Sequence, residues 1–193
     1  MPRRLFCSSL LLAAILAGGV WAQVDPDPDG IGLYADPGAS LSSVQASTGS
    51  QVQIYLVLTR PSGSVGISSW ECGVEVPDNA IVMGWTIPSQ HVNIGSGNEF
   101  AVSYLDDLPI GDVVLLAMGT IIAGGSQPGS FYITPGLADS GHDGLPNYLD
   151  GAGSLLAMTP YPAGVSYPTF MLNGTMGEEE DTTWGNVKSL YRN

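Results

Sequence analysis

Basic residues are scarce in this sequence, and their scarcity limits what the chain can bind. The 193 residues include 5 Lys and Arg against 18 Asp and Glu, which gives a formal net charge of −13. Beyond residue 22 the only positive side chains are Arg60, Lys188 and Arg192. Nucleic-acid binding needs a cationic surface for the phosphates, and anionic membranes attract basic segments. The composition therefore predicts no nucleic acid among the partners. The partner we expect is an extracellular protein or a polysaccharide, for the reasons given below.

Cysteine and histidine are also rare, and their scarcity excludes most kinds of disulfide and zinc site. Cys7 lies in the N-terminal leader, so Cys72 is left without a partner for an internal disulfide. Cys72 sits in an alternating apolar run and is expected to be buried as a small hydrophobe. His91 and His142 show no spacing typical of zinc ligands. We expect a structural role for His91 and a surface loop for His142.

Long apolar runs are confined to the N-terminus. Arg3 and Arg4 precede the apolar stretch 5–16, and Val20 and Ala22 form a small-residue cleavage pattern. Residues 1–22 are thus predicted to be a signal peptide that directs the chain to the extracellular space or the periplasm. No later segment is long enough to cross a bilayer, so no membrane span is expected after the signal is removed.

Helix signals are nearly absent before the last dozen residues, whereas strand signals recur. Residues 50–59 and 67–76 alternate apolar and polar side chains, and residues 112–124 are apolar on both faces, as in a central strand. Clusters rich in Gly, Pro, Asn and Asp separate these runs. The sequence predicts a jelly-roll-like antiparallel β-sandwich of about nine or ten strands over residues 31–175. Weaker strands are expected at 31–35, 41–47, 80–87, 99–105, 130–134, 155–158 and 170–173.

The last residues, 176–193, differ from the rest of the chain. An acidic stretch, 178–181, leads to Thr182 or Thr183, either of which can cap a helix. Four apolar side chains then share one helical face: Trp184, Val187, Leu190 and Tyr191. The pattern predicts an acidic linker and a short C-terminal helix. This helix either docks on the sandwich or is a tail that binds a partner.

The run GSQVQIYLVLTRPSGSVGISSWECGVEVPDNAIVMGWTI resembles the first half of a cohesin-type module. The later runs NEFAVSYLDD, DVVLLAMGTIIAG and GSFYIT are similar to its second half. The resemblance covers roughly residues 31–134 and lies in strands and turns, without a catalytic signature. It departs from the family at Val76-Pro77-Asp78, where Tyr-Asp-Pro is usual. It implies a jelly-roll sandwich that binds a partner module on one sheet face, and related sandwiches bind carbohydrate.

Two aspartate-rich stretches suggest calcium. Asp25, Asp27 and Asp29 precede Gly30 in a pattern close to an EF-hand loop, with Asp36 at its twelfth position. No helix precedes them and Pro26 and Pro28 stiffen the stretch, so an EF-hand is excluded. The alternatives are a different kind of calcium site or an acidic leader over residues 23–30. A second candidate calcium stretch surrounds three aspartates among glycines: Asp139, Asp143 and Asp150.

Candidate catalytic residues do not stand out. Asp106-Asp107 is placed in a turn, and Glu71 and Glu75 on the exposed face of a strand, where solvated acids are common. No nucleophile elbow occurs. We therefore expect no enzymatic activity and a secreted recognition or structural module, with a carbohydrate-binding module as the alternative and a secreted hydrolase as the second. Stacking against sugars would require a row of exposed aromatic side chains. The alternative is that these side chains pack in the core or against neighbouring strands. The residues concerned are Tyr55, Trp85, Tyr104 and Tyr132.

Overall fold

The computed structural model describes residues 26–162 and 164–176, and these form an all-β sandwich. Thirteen strands occur in the described residues. They are β1 (Gly30–Tyr34), β2 (Ser43–Val44), β3 (Gln51–Thr59), β4 (Ile67–Glu75), β5 (Ala80–Thr86), β6 (His91–Asn93), β7 (Glu99–Leu108), β8 (Val113–Ala123), β9 (Gly129–Thr134), β10 (Asn147–Asp150), β11 (Leu155–Ala157), β12 (Thr159–Pro160) and β13 (Phe170–Leu172).

The strands form two sheets that face each other. The first sheet has the order β12-β1-β3-β8-β5, and β1 pairs with β12 in parallel. The second has the order β11-β10-β4-β9-β13-β2, and β7 pairs with β4 while β6 pairs with β7. The strand β8 lies inside the first sheet between β3 and β5, as its apolar sequence predicts. The predicted sandwich is confirmed, and most of its pairs are antiparallel.

Alternation along the strands explains the core. On β3 the side chains of Ile54, Leu56 and Leu58 point inward, and on β4 those of Trp70 and Cys72 do so. Successive residues of a strand face opposite sides, so each strand contributes every second side chain to one layer. The remaining large members of the core come from both sheets: Ile31, Leu33, Phe100, Leu116, Ile121, Phe131, Ile133 and Phe170.

The structure corrects several sequence-based expectations. The strands β6, β10 and β12 were not predicted, and the predicted strand at 41–47 shrinks to the two residues of β2. These strands have two to four residues, which is too short for a recognisable period. Val57, on the outer side of β3, is buried under Tyr34 and Ala39. The sequence does not reveal this cover because a loop folds back across the sheet.

That covering loop is held by one carboxylate. Asp36 accepts hydrogen bonds from the backbone N–H groups of Gly38, Ser40 and Leu41, at 3.0, 3.0 and 2.7 Å. Aspartate commonly closes turns in this way. Asp36, considered above as a calcium ligand, thus has a local role in the turn.

Some predictions fall on residues that the structure does not describe. The signal peptide, Asp25 and the C-terminal helix lie outside the described ranges. Within those ranges, no helix is long and apolar enough to cross a membrane.

Candidate functional site

The outer side of the second sheet carries a continuous row of side chains across five strands. Neighbouring strands place Leu155 opposite Leu149, Leu149 opposite Ser69, Ser69 opposite Ser103, and Ser103 opposite Val92. Strands in a sheet lie about 4.7–4.9 Å apart, so the row spans roughly 19 Å. Its two ends are apolar and its centre carries two small hydroxyl side chains.

A second row lies beside the first. Ala157 is opposite Asn147, Asn147 is opposite Glu71, and Glu71 is opposite Ala101. The row ends at Ile94, whose N–H donates to the Ala101 carbonyl at 3.1 Å. We call the two rows together the outer face. Since each row has apolar ends and a polar middle, the outer face presents two apolar margins separated by a polar strip.

The margins of the outer face are solvent-exposed. The exposed fractions are 56% for Val92, 83% for Ile94 and 46% for Leu155. Val92, Ile94 and Leu155 also line a shallow recess of about 270 Å³ together with Ser103 and Ala101. Val92 and Ile94 form one exposed apolar patch with a polar surround, and such patches are typical of interaction sites.

The β6–β7 hairpin that supplies one margin is fixed by its turn. The Asn93 side-chain oxygen accepts hydrogen bonds from the N–H groups of Gly95 and Ala101, at 3.0 and 3.1 Å. Gly95 packs against the backbone of Glu99 so closely that a side chain there would collide with it. These contacts hold Ile94 in its exposed position at the end of β6.

Glu71 is buried, contrary to the expectation that it lies on an exposed strand face; only 7% of its surface is accessible. The segment after β9 folds over it, and the Ser140 N–H donates to its Oε1 at 2.5 Å. Gly136 lies directly against its side chain. Glu75 is exposed, as expected. The two carboxylates therefore differ in environment and do not form a matched pair on one open surface.

Another carboxylate lies next to the outer face. Glu99 on β7 is opposite Gly73, which is in turn opposite Thr134. The absence of a side chain at Gly73 leaves room for the Glu99 carboxylate, which a Cβ at that position would meet at 2.8 Å. Burial raises the pKa of Glu99. One enclosed acid, Glu71, thus lies in the polar strip, and a second, Glu99, lies beside it.

The two aspartate-rich stretches lie in different places. Asp139 and Asp143 are in the loop after β9, where their carboxylates accept from the N–H groups of Gly144 and Leu145. Asp29 accepts from the Ser62 N–H and hydroxyl and from the Tyr148 hydroxyl, at 2.7, 2.6 and 2.6 Å.

Asp27 is exposed, and Asp25 is outside the described residues. The described residues bring together no group of three or more His, Cys, Asp or Glu side chains suited to a metal ion. Calcium binding stays a prediction, and the contacts that are present assign Asp29 a structural role.

Asp29 ties the start of the fold to two other segments. Its Tyr148 partner also accepts from the Gly63 N–H at 3.0 Å, and the Asp29 carbonyl accepts from the Thr159 N–H at 2.9 Å. Burial and the nearby Asp29 carboxylate raise the pKa of Tyr148 to about 12. The tyrosine therefore keeps its proton and donates to Asp29 throughout the physiological range.

Asp150, the last aspartate of the second candidate calcium stretch, is the final residue of β10. Its carboxylate accepts from the N–H groups of Ser154, Ala152 and Ser64, at 2.8, 3.0 and 3.3 Å. These hydrogen bonds, that of Ser154 first, lower the pKa of Asp150. The carboxylate therefore organises the β10–β11 turn that carries the Leu155 margin.

This lowered pKa predicts a pH dependence of stability. Since the folded-state pKa lies below the unfolded value of about 3.9, the ionised Asp150 stabilises the fold fully above that value. The contribution is lost as the pH falls through the folded-state pKa. In the Asp150→Asn variant, we expect the free energy of unfolding, measured with urea, to depend less steeply on pH between about 5 and 2. Asp112→Asn, at an exposed acid, is the control, and equal slopes for both variants would contradict the role of Asp150.

The aromatic residues considered for sugar stacking do not form a common surface. Tyr104 is buried, accepts a hydrogen bond from the Trp70 indole at 2.9 Å, and has a pKa raised by burial to about 12. Tyr55 and Trp85 are on the first sheet, whereas Tyr104 and Tyr132 are on the second, so the four aromatics form no single row.

The rare nucleophile and the two histidines occupy the expected environments. Cys72 is fully buried, and burial raises the pKa of its thiol, which removes its reactivity. His91 is a strand residue of β6, and its Nδ1 lies 2.9 Å from the Ser89 carbonyl oxygen. His142 is exposed in the loop after β9, with a positive φ of 53°.

Sequence reasoning missed the outer face. Val92 and Ile94 stand in the short run HVNI between two turns, and Leu155 begins a strand of three residues. The one available signal was the presence of bulky aliphatic side chains in polar, turn-rich surroundings. The pairing register that aligns the three residues depends on strands far apart in the chain.

Comparison with known proteins identifies the architecture. No family model matches the sequence, and no curated protein matches it significantly. Among solved structures, the chain is similar to a type II cohesin domain from the cellulosome of Acetivibrio cellulolyticus, with a TM-score of 0.52, 10% identity, and coverage of 76% of this chain and 96% of that one. It is also similar to the complex of CaDoc0917 with CaCohA2, a protein of Clostridium acetobutylicum. There the TM-score is 0.50 at 10% identity, covering 77% of this chain and 99% of the other. The fold is a cohesin-type β-sandwich.

Proposed function

We propose that this chain is a secreted, non-catalytic recognition module that binds a protein partner through its outer face. The observation that carries the proposal is the pair of exposed apolar margins, formed by Val92 and Ile94 on one side and Leu155 on the other. Aliphatic side chains so placed release ordered water when a partner covers them. In the polar strip between them Ser103 is exposed and Ser69 is half-buried, and their hydroxyl groups can hydrogen-bond to that partner, whereas Asn147 and Glu71 are buried.

Two further observations support a protein rather than a small substrate. The recess between the margins is shallow, at about 270 Å³, whereas sites for small ligands are deeper and usually exceed roughly 300 Å³. CaCohA2, whose fold this chain shares, forms a complex with CaDoc0917. Secretion rests on the N-terminal leader and the acidic composition.

The proposal is tested with the whole chain as bait against secreted proteins of the organism that makes it. We expect Val92→Asp and Ile94→Asp each to lower the affinity for a captured partner at least tenfold, because a charge would be buried at the interface. Val65→Asp is the matched control: Val65 is 63% exposed, between the values of Val92 and Ile94, lies between β3 and β4, and does not line the recess. Isothermal titration with the purified partner measures the three affinities.

Other outcomes would assign another function. Saturable binding to a glycan array without any protein partner would favour the carbohydrate-binding alternative. Turnover of a glycan or ester substrate would overturn the non-catalytic role. Partner binding that responds equally to Ile94→Asp and Val65→Asp would move the interface away from the outer face.

A further inference from the structure

A large groove opens along one side of the sandwich, away from the outer face. It lies between β5, the last strand of the first sheet, and the β6–β7 hairpin, the last element of the second. Its volume is about 1050 Å³. The residues that line it include Met83, Trp85, Ile87, His91 and Asn98. The two sheets are therefore not closed against each other along this side.

The wall of the groove formed by β5 is apolar and exposed. Met83 is 59% accessible, whereas the side chain of Ile81, opposite Ile122, faces the other side of the sheet, away from the core. Trp85 is held in place because its indole N–H donates to the Asn98 side-chain oxygen at 3.0 Å and its ring meets that of Phe100 edge-on, 5.2 Å between centroids. The groove is thus preformed, and it exposes the edge of β5. A second segment that packed against this edge would bury its apolar side chains.

The end of this chain has the chemistry to fill the groove. Residues 182–193 contain no acidic side chain, carry Lys188 and Arg192, and place four apolar residues on one helical face. The described part of the chain contains 13 Asp and Glu against a single basic residue, Arg60. Opposite net charges attract the segment toward the sandwich, and its apolar face matches the apolar wall of β5.

The last described residues lie near one end of the groove. The Asn173 side chain donates to the Gly125 carbonyl at 2.9 Å, and a Cβ on Gly174 would be 3.5 Å from Pro128. The turn that contains Pro128 is joined to β5 by the Asn79 side chain, which donates to the Gln127 carbonyl at 2.6 Å. Pro77 and Asp78, beside Asn79, line the groove.

The distance from this end into the groove is short for the available chain. The acidic linker 177–181 and the two threonines after it provide seven residues, which span up to roughly 23–25 Å when extended. This length is available to carry Trp184, the first apolar residue of the stripe, from the turn at Pro128 into the groove.

We propose that residues 182–193 of the same chain dock in this groove through Trp184, Val187, Leu190 and Tyr191 and cover the open side between the two sheets. The docked segment shields Met83 and Trp85 from solvent and leaves the outer face available to a partner. This inference concerns a different surface from the proposed partner site, and either can fail without the other.

Disulfide trapping in the full-length chain tests the contact directly. Met83→Cys is combined in turn with a cysteine at each of the four apolar tail positions in a chain that carries Cys7→Ser, and the native Cys72 is buried and does not interfere. We expect at least one pair to form an intramolecular disulfide under mild oxidation. The same tail cysteines paired with Leu155→Cys on the outer face are expected to form none. Disulfides that link two differently tagged chains, or none with Met83→Cys, would overturn the proposal.

Hydrogen exchange supplies a second test that does not depend on cysteine geometry. In the intact chain we expect residues 183–192 to be protected, and Trp184→Ser to accelerate exchange there and along β5 at least tenfold. Asn186→Ser, a polar change outside the apolar stripe, is expected to leave both regions unchanged. Fast exchange of residues 183–192 in the unaltered chain, or no change in β5 with Trp184→Ser, would refute docking.

Discussion

Replacing Phe100 with alanine is expected to lower the free energy of unfolding by about 3–5 kcal/mol. Phe100 lies on β7 of the second sheet, is 98% buried, and its ring centroid is 5.2 Å from those of both Trp70 and Trp85. Trp85 belongs to β5 of the first sheet, so Phe100 joins the two sheets at the floor of the groove. Its removal leaves a cavity that two rigid indole rings cannot collapse to fill.

Urea unfolding followed by tryptophan fluorescence measures this loss. Phe100→Leu is expected to cost less because it keeps part of the buried apolar volume. Val92→Ala, an exposed change in the neighbouring hairpin strand, is expected to stay within about 0.5 kcal/mol of the unaltered protein. A loss below about 1 kcal/mol for Phe100→Ala would mean that the sheets are not joined through this ring.

Gly119→Val is expected to destabilise the protein by about 1–3 kcal/mol through overpacking. Gly119 of β8 is opposite Trp85 of β5, and a Cβ at this position would be 2.7 Å from the indole ring. The ring would have to leave its place against Phe100, so one added side chain would disturb both the core and the groove.

The coupling between these two positions is measured with a double-mutant cycle. Trp85→Leu makes room for the new side chain, so the double variant Gly119→Val/Trp85→Leu should lose less stability than the sum of the single variants. Thr120→Val, one residue further along β8 and on its other side, is the control and should not show this coupling. Strictly additive losses would contradict the close packing of Trp85 on Gly119.

The sequence predicts the parts of this fold that depend on local periodicity. The strands β3, β4 and β8 have nine to eleven residues, long enough for alternation or continuous apolarity to be recognised, and their inward residues are those expected. The resemblance to cohesin-type modules uses the same strands and is confirmed at the level of the fold.

Features that depend on contacts between residues distant in the sequence cannot be predicted from local periodicity. Glu71 stands at an outward position of β4 and reads as a solvated acid, yet a loop some 70 residues later covers it and donates a hydrogen bond from Ser140. Asp29 reads as a calcium ligand, yet its oxygens accept from Ser62 and Tyr148. In each case the polar group is satisfied by a partner that only the folded chain brings near.

The outer face illustrates the same limit. Its two rows are assembled from β11, β10, β4, β7 and β6, and three of these strands have four residues or fewer. A row across a sheet is a property of register, and register is set by turns and by the packing of the whole face. The sequence therefore does not show that Val92, outside the predicted strands, and Leu155, in the weaker strand predicted at 155–158, lie on one face.

The strand β6 contributes alternate residues to two different surfaces: Val92 points to the outer face, whereas His91 and Asn93 line the groove. Substitutions at even and odd positions of this strand can thus be selected separately, so each surface can evolve without altering the other. Insertion or deletion of a single residue would exchange the two sets of side chains at once. We therefore expect homologous chains to vary in side-chain identity along β6 and to preserve the length of the segment between residues 88 and 98.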